Sequence, residues 1–292
     1  MIYQLIAVFI WASAFIAGKY TYEIMDPVLM VQLRLMIPAL IILPLFFKAY
    51  RRIQPHLRKK VWLLALLNFP LAFILQFTGL YYTSAASAVT MIGMEPLIVV
   101  MVGYFFFRQR VRPHDWLLSL IAFLGIGLTV FGAEENGNIS LLGCMLVLAS
   151  GIVFAFCIYL GKQVMKEINP ALYTNVIIVL GSLLCIPFSL LLVRDWNITP
   201  TVKGISALFY LGIGCSWVAV WLWNMGLQNT SANVSSIINT LEPVFGVFLA
   251  IILLGDSLSF ITAIGILCVI GATMLSVLSP FLKKHTYRRK TG

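Results

Sequence analysis

The chain has 292 residues, of which 61% are apolar and only 10% are charged, and its net charge is +10. A water-soluble domain carries roughly 25% charged residues, so the composition excludes a soluble fold. Because one bilayer crossing needs about 20 apolar residues, the length accommodates ten short-looped helices with no soluble domain beside them.

Apolar runs bounded by charged or turn residues predict ten transmembrane helices, at 2–20, 29–47, 61–80, 86–107, 115–132, 140–161, 171–193, 204–224, 233–254 and 259–281. No basic residue precedes the first run, and Lys19 lies near its end, where a cleavage site would need small residues, so a helix is predicted there rather than a signal peptide. The five cysteines lie singly in apolar stretches and the three histidines in predicted loops or the tail. The sequence therefore predicts no metal site and no cofactor.

Basic residues concentrate on one side of the predicted membrane. Sixteen of the twenty Lys and Arg residues fall within 48–60, 108–112, 162–166 and 283–290. Since basic loops stay in the cytoplasm, both termini are predicted to be cytoplasmic, and residues 134–138 to face outside. We expect a multi-pass protein of a prokaryotic cytoplasmic (inner) membrane. Because the basic runs flank apolar segments, the lipid bilayer is enough to explain them as a partner, and no nucleic-acid partner is predicted.

Two halves of the chain repeat one pattern of five predicted helices. Residues 13–19 (SAFIAGK) match 156–162 (FCIYLGK) at an offset of 143, and 79–96 (GLYYTSAASAVTMIGMEP) match 226–243 (GLQNTSANVSSIINTLEP) at an offset of 147. Because five is odd, the second copy must cross the membrane in the opposite sense, which is typical of secondary transporters. The predicted repeats are 1–137 and 138–282, followed by a basic cytoplasmic tail at 283–292.

Short motifs recur in order along the chain: WASAF at residues 11–15, Leu33-Arg34, the paired Glu-Pro motifs at 95–96 and 242–243, and Gly255-Asp256. With these motifs the whole chain resembles the drug/metabolite transporter superfamily, specifically its EamA-type ten-helix permeases. The resemblance implies a metabolite carrier, often an exporter of amino acids or related compounds. Two departures are the RQR run at 108–110, where a Gly-acidic turn is usual, and Phe154, which replaces Trp11 in the second copy.

Glu95 and Glu242 each fall near the middle of a predicted helix, where an ionisable side chain is costly and a functional role is the default interpretation. Pro96 and Pro243 follow them and are predicted to kink both helices, because proline removes a backbone N–H. In the alternative interpretation each carboxylate only caps the positive end of a broken half-helix. Both interpretations stay open at this stage.

Other polar and aromatic side chains are predicted to line a cavity with the glutamates. Ser235, Asn239 and Glu242 share one helix face, and Trp217, Trp221 and Asn224 share another, whereas Trp223 is expected to face lipid. Arg34 is expected either to pair with a carbonyl or to attract an anionic group to an outer vestibule. The remaining candidates are Asn68, Gln76, Met91, Trp11 and Tyr159.

These features predict a secondary transporter that moves a small amphipathic metabolite (an amino acid, an amine or a related compound) by alternating access, with export as the expected direction. A cavity without a central Arg or Lys is poorly suited to phosphates. No GxxxxGK[ST] motif is present, so energy must come from a gradient. Proton coupling through Glu95 or Glu242, facilitated exchange, and a monomer or homodimer all remain open.

The alternatives are a membrane scaffold or assembly partner, and an intramembrane enzyme, which would need a catalytic constellation that the sequence does not offer.

Overall fold

The computed structural model describes residues 1–83, 88, 91–109, 113–131, 140–242, 244–246, 249, 260–261, 263–272 and 274–275, and every regular element within these ranges is helical. In chain order the helices are α1 (Ile2–Tyr22), α2 (Pro27–Arg51), α3 (Pro55–Tyr82), α4 (Glu95–Phe105), α5 (Pro113–Phe131), α6 (Leu141–Val164), α7 (Pro170–Leu192), α8 (Val202–Leu227), α9 (Ala232–Asn239) and α10 (Ala263–Ala272).

Within the described ranges, six helices (α1, α2, α3, α6, α7 and α8) are long and apolar enough to cross a membrane. The prediction of an all-helical membrane protein is thereby confirmed. The count of ten spans and the inverted repeat stay predictions. The expectations for Pro243, Gly255-Asp256, residues 134–138 and the tail at 283–292 lie outside the described residues.

The second helix of each predicted half begins with the same local structure. Asp26 caps α2 by accepting hydrogen bonds from the backbone N–H groups of Val28 and Leu29 at 2.8 and 3.3 Å. Asn169 caps α7 by accepting a hydrogen bond from Ala171 N at 2.9 Å. A proline follows each cap, where its missing N–H costs nothing. The two caps are 143 residues apart, the offset of the sequence repeat.

Glycines bring the long helices into close contact. A Cβ atom on Gly79 of α3 would lie 2.8 Å from the carbonyl oxygen of Gly143 in α6, and one on Gly226 of α8 would lie 2.4 Å from Gln4 Cγ in α1. Small residues at helix contacts allow this approach of backbones in a membrane. The pairs α3–α6 and α8–α1 therefore pack closely, each joining one predicted half to the other.

α2 packs against α7 through polar contacts in the interior. Gln32 Nε2 donates to Ser182 O at 3.3 Å, and Ser189 Oγ donates to Gln32 Oε1 at 3.2 Å. Interhelical hydrogen bonds of this kind hold helices together where the surroundings are apolar. The turn at 22–28 and the loop at 192–201 form one end of the bundle, called here the acidic end, and the turns at 51–55 and 162–170 form the opposite, basic end.

α3 and α8 each contain a π-helical segment, Leu67–Leu71 and Tyr210–Val218. Adding the repeat offset of 147 to 67–71 gives 214–218, which lies within the second segment. In α3 the wide turn accommodates Pro70, whose ring would clash with the preceding turn of an α-helix. A π-helical turn holds more residues than an α-helical turn, so it changes which side chains share a face farther along the helix.

Candidate functional site

A central cavity lies halfway along α1 and α6, between the two ends of the bundle. About 70 Å³ of it is open to water-sized molecules, room for several waters at roughly 10–15 Å³ each. The described residues of its walls include two acidic side chains, one basic side chain, two amides and several aromatic rings. The lining residues are Trp11, Ala14, Arg34, Ala72, Phe73, Gln76, Phe77, Ile92, Glu95, Ser150, Gly151, Phe154, Asn239 and Glu242.

Glu95 is the first residue of α4 and follows a two-residue turn at Gly93 and Met94. Pro96 lies in the first helical turn, so the chain is interrupted next to the Glu-Pro motif, and the carboxyl group sits at the positive end of the helix dipole. Glu95 is only 3% exposed. Its Oε2 accepts a hydrogen bond from Asn239 Nδ2 at 2.9 Å, whereas its Oε1 has no partner among the described residues. One oxygen is thus fixed and the other is unpaired.

Glu242 lines the same cavity and is also buried. The helix that carries it is interrupted at Thr240, shortly before the carboxylate, as α4 is interrupted before Glu95. Asn239, which shares its helix face in the sequence, bonds to Glu95 instead. Asn239 and Ser235, which share a helix face with Glu242 in the sequence, thus form their hydrogen bonds with other helices. Ser235 accepts a hydrogen bond from Gln4 Nε2 at 2.8 Å and lies outside the cavity lining.

Arg34 lines the central cavity and is only 2% exposed. Its guanidinium lies between the rings of Phe73 and Phe77, 4.8 and 4.6 Å from their centroids, and Nε donates to Ser216 Oγ at 2.8 Å. Nη1 has no partner among the described residues. Arg34 thus pairs with a hydroxyl rather than a carbonyl, and it lies beside the glutamates rather than in an outer vestibule. Its attraction for an anionic group stays a prediction. The expectation that the cavity contains no central Arg or Lys is therefore wrong, because Arg34 lines it.

An aromatic compartment adjoins the central cavity on the side of the basic end. Trp11, Phe73 and Phe154 line both spaces. The compartment is smaller, with about 30 Å³ open to water-sized molecules. Its other lining residues are Asn68, Phe69, Cys157, Ile158, Tyr173, Val220, Trp223, Asn224 and Leu227.

The structure brings six of the thirteen predicted site residues to the central cavity: Glu95, Glu242, Asn239, Gln76, Trp11 and Arg34. Asn68 and Asn224 line the aromatic compartment instead. Trp217 donates from Nε1 to Asn175 at 3.2 Å, and Tyr159 donates to Val99 O at 3.1 Å. These two side chains and Met91 are absent from the linings of both spaces.

The assignment of faces on α8 is reversed in the structure. Trp221 is 38% exposed, whereas Trp223 is 3% exposed and lines the aromatic compartment. The prediction counted α-helical turns from Trp217, but Trp217 lies in the π-helical segment, whose wider turn shifts the faces that follow. The α-helical part of α8 buries one face that repeats every three to four residues, made of Ala219, Val220, Trp223, Asn224, Gly226 and Leu227.

Sequence reasoning missed several lining residues, including Phe73, Phe77, Phe154 and Trp223. The sequence repeat indicates two of them, Phe154 and Trp223, because each corresponds to a predicted lining residue of the first copy. Phe154 stands at the position of Trp11 in the second copy, at the offset of 143, and the two rings are 6.5 Å apart. Trp223 stands at the position of Gln76, at the offset of 147, and Gln76 was predicted to line the cavity. Phe73 and Phe77 carried no such signal, because isolated phenylalanines are common on lipid-facing surfaces too.

The six apolar helices of membrane-spanning length in the described ranges, with a buried polar cavity between them, are the architecture expected of a membrane transporter. The model of the EamA-like transporter family matches residues 1–131 and 141–278, and the chain belongs to that family. The resemblance seen in the motifs is thereby confirmed.

Relatives carry the same general description. An uncharacterised transporter of Haemophilus influenzae is 46% identical over 143 residues, which are 48% of this chain and 84% of that protein. The uncharacterised transporter YetK of Bacillus subtilis is 26% identical over 279 residues, covering 93% of this chain and 84% of its own length. A crystal structure of another protein aligns with a TM-score of 0.76 at 18% identity, covering 95% of this chain and 96% of that chain. The last comparison shows that the fold is shared.

Proposed function

We propose that this protein is a secondary transporter that exports a small amphipathic metabolite, an amino acid or an amine, by alternating access. The observation that carries the proposal is a set of three buried atoms, Arg34 Nη1, Glu95 Oε1 and Asn239 Oδ1, which lack hydrogen-bond partners among the described residues. All three side chains line the central cavity. Leaving a polar group buried and unpaired costs about 1–3 kcal/mol, so a solute that pairs with all three gains affinity from each.

The charges around the cavity favour a solute with an amino group. Two carboxyl groups, Glu95 and Glu242, face one guanidinium, Arg34. An ammonium group on the solute offsets the excess of acidic side chains, and a carboxylate on the same solute can accept hydrogen bonds from Arg34. A proton on Glu95 or Glu242 offers a second way to balance the charge and a means of coupling transport to a proton gradient. A phosphate, which carries more negative charge, suits this cavity less well.

Contacts between the predicted halves support alternating access. The third helix of each half packs on the first helix of the other, through Gly79 with Gly143 and through Gly226 with Gln4. Both third helices also carry a π-helical segment. This pairing is the one expected if ten helices form two inverted repeats, 1–137 and 138–282, around a site at mid-depth. In the same proposal the protein lies in a prokaryotic cytoplasmic membrane with the acidic end outside.

The test is transport by purified protein reconstituted into vesicles. Labelled L-amino acids and the amines that correspond to them after decarboxylation are offered, with and without a pH gradient. We expect saturable movement of at least one amino-bearing solute, accelerated by a gradient if a glutamate carries a proton. Movement of organic phosphates with no transport of any amine or amino acid would overturn the substrate assignment. A Glu95→Gln/Glu242→Gln double variant, matched for folded protein, is the negative control.

A further inference from the structure

The wall between the central cavity and the aromatic compartment consists of side chains that belong to both. Trp11 is fixed there because its Nε1 donates to Cys215 O at 2.9 Å. The Trp11 ring lies 6.5 Å from Phe154 and 5.3 Å from Trp223, measured between centroids. A solute group that passes Phe154 from the central cavity therefore meets Trp223 next.

The aromatic compartment has the lining of a pocket for an apolar group. None of the described residues that line it is charged, and Phe69, Tyr173 and Trp223 are almost completely buried. Its two amides are already engaged, since Asn224 Nδ2 donates to Thr174 Oγ1 at 2.9 Å and Asn68 Nδ2 donates to Leu64 O at 3.0 Å. Moving an apolar substituent from water into such surroundings is favourable by roughly 25 cal/mol for each Å² buried. The central cavity, by contrast, holds the charged groups.

Trp223 limits the size of this compartment. Its ring contacts the rings of Trp11 and Phe154, and the centroids of Trp223 and Phe154 are 6.1 Å apart. Trp11 is held by its hydrogen bond and Phe69 by packing against Phe73 at 5.4 Å between centroids. Replacing the indole of Trp223 with a smaller side chain is therefore the change that enlarges the space most directly. On the same helix Trp221 is 38% exposed and lines neither space, so it provides a matched control.

We propose that the aromatic compartment receives the apolar side chain of the transported solute and that Trp223 determines how large that side chain can be. The proposal rests on the proposed function, because it assumes that the amino group of the solute binds at Glu95 and Asn239. The proposed solutes carry a branched aliphatic or aromatic group next to the amino group. The charged part of the solute then stays in the central cavity, and its apolar part displaces water from the compartment.

The experiment compares side-chain preference in the wild type, Trp223→Leu, Trp223→Phe and Trp221→Leu. Reconstituted protein is offered L-alanine, L-valine, L-leucine, L-phenylalanine and L-tryptophan, and kcat/KM is measured for each. We expect Trp223→Leu to change the ratio for L-tryptophan over L-leucine at least about tenfold in favour of the larger solute, since pocket contacts of this size discriminate by 10-fold or more. Trp223→Phe should change it less, and Trp221→Leu should leave it unchanged.

The possible failures are distinct. Transport with the same ratio in Trp223→Leu as in the wild type would overturn the assignment of the compartment as a side-chain pocket. An equal loss for all five solutes, with folding preserved in Trp223→Phe, would overturn it too and would make the compartment a gate. If wild-type protein transports none of the amino acids or the corresponding amines, the proposed function itself fails, and the inference fails with it.

Discussion

Asn239 donates a hydrogen bond from Nδ2 to Oε2 of Glu95 at 2.9 Å, and both side chains are buried beside the central cavity. The two residues come from opposite halves of the sequence repeat. At the offset of 147, Asn239 corresponds to Ile92, so the second half supplies an amide where the first half supplies a hydrocarbon. The two glutamates consequently have different surroundings although their motifs match.

This asymmetry predicts that Glu95→Gln reduces transport more than Glu242→Gln. Glutamine retains the shape of Glu95 and can still accept the hydrogen bond from Asn239, but it removes the charge that we propose binds the ammonium group of the solute. Charged hydrogen bonds contribute about 1.5–3 kcal/mol, so kcat/KM should fall about tenfold or more. The measurement is transport by reconstituted variants, normalised to folded protein. Wild-type rates in both variants would leave helix capping as the role of the glutamates.

Arg34→Gln should discriminate between solutes with and without a carboxylate. The guanidinium is held by Ser216, Phe73 and Phe77, and its Nη1 has no partner in the described part of the chain, so it can bind a carboxylate without rearrangement. We expect KM for amino acids to rise by about tenfold and KM for the matching amines to change little. Arg34→Lys, which keeps the charge but loses the planar fork, should give an intermediate value. A parallel loss for both classes would indicate that Arg34 supports packing instead.

Gly79→Ala should destabilise the protein by about 1–3 kcal/mol through overpacking of α3 against α6. The added Cβ would lie 2.7 Å from a methyl carbon of Val147 and 2.8 Å from the backbone oxygen of Gly143, and the latter cannot move without shifting the helix. Gly18→Ala is the control, because the nearest atom to its added Cβ is 3.5 Å away, an ordinary contact. Thermal unfolding in detergent measures both. Equal melting temperatures for the two variants would contradict the close approach.

The orientation of the protein can be tested at two exposed positions. Asn197 lies in the loop at the acidic end, and Gln54 lies in the turn between α2 and α3 at the basic end. In a background without the five native cysteines, Asn197→Cys should react with an impermeant thiol reagent on intact cells, and Gln54→Cys should be protected until the cells are opened. The reverse pattern would mean that the excess of basic residues does not determine orientation here.

Much of the architecture follows from the sequence because its signals are local. Apolar runs give the long helices, and Asp26-Pro27 marks the start of α2 through a cap that involves adjacent residues only. The central cavity residues Glu95, Glu242, Gln76 and Trp11 could be predicted because polar or amphipathic side chains at mid-depth stand out against an apolar background. The depth of a residue along its helix is thus readily deduced from the sequence.

The direction in which a side chain points is harder to deduce, and the errors concentrate there. Trp221 and Trp223 exchanged faces because a π-helical segment precedes them, and the sequence of residues 210–218 gives no sign of it. Asn239 and Ser235 bond across to Glu95 and Gln4, and a count of turns within one helix cannot show such contacts. Arg34 lies in the cavity because Phe73, Phe77 and Ser216 surround its guanidinium. These three residues come together only through tertiary packing, so the sequence does not indicate this environment.

The equivalence of Gln76 and Trp223 has a consequence for specificity. In the sequence repeat these positions correspond, yet Gln76 lines the charged cavity and Trp223 lines the aromatic compartment. A change at Trp223 leaves the charged groups untouched. In the proposed assignment, a point mutation at Trp223 therefore alters the pocket for the apolar group, while the charged groups that both copies supply to the central cavity stay in place.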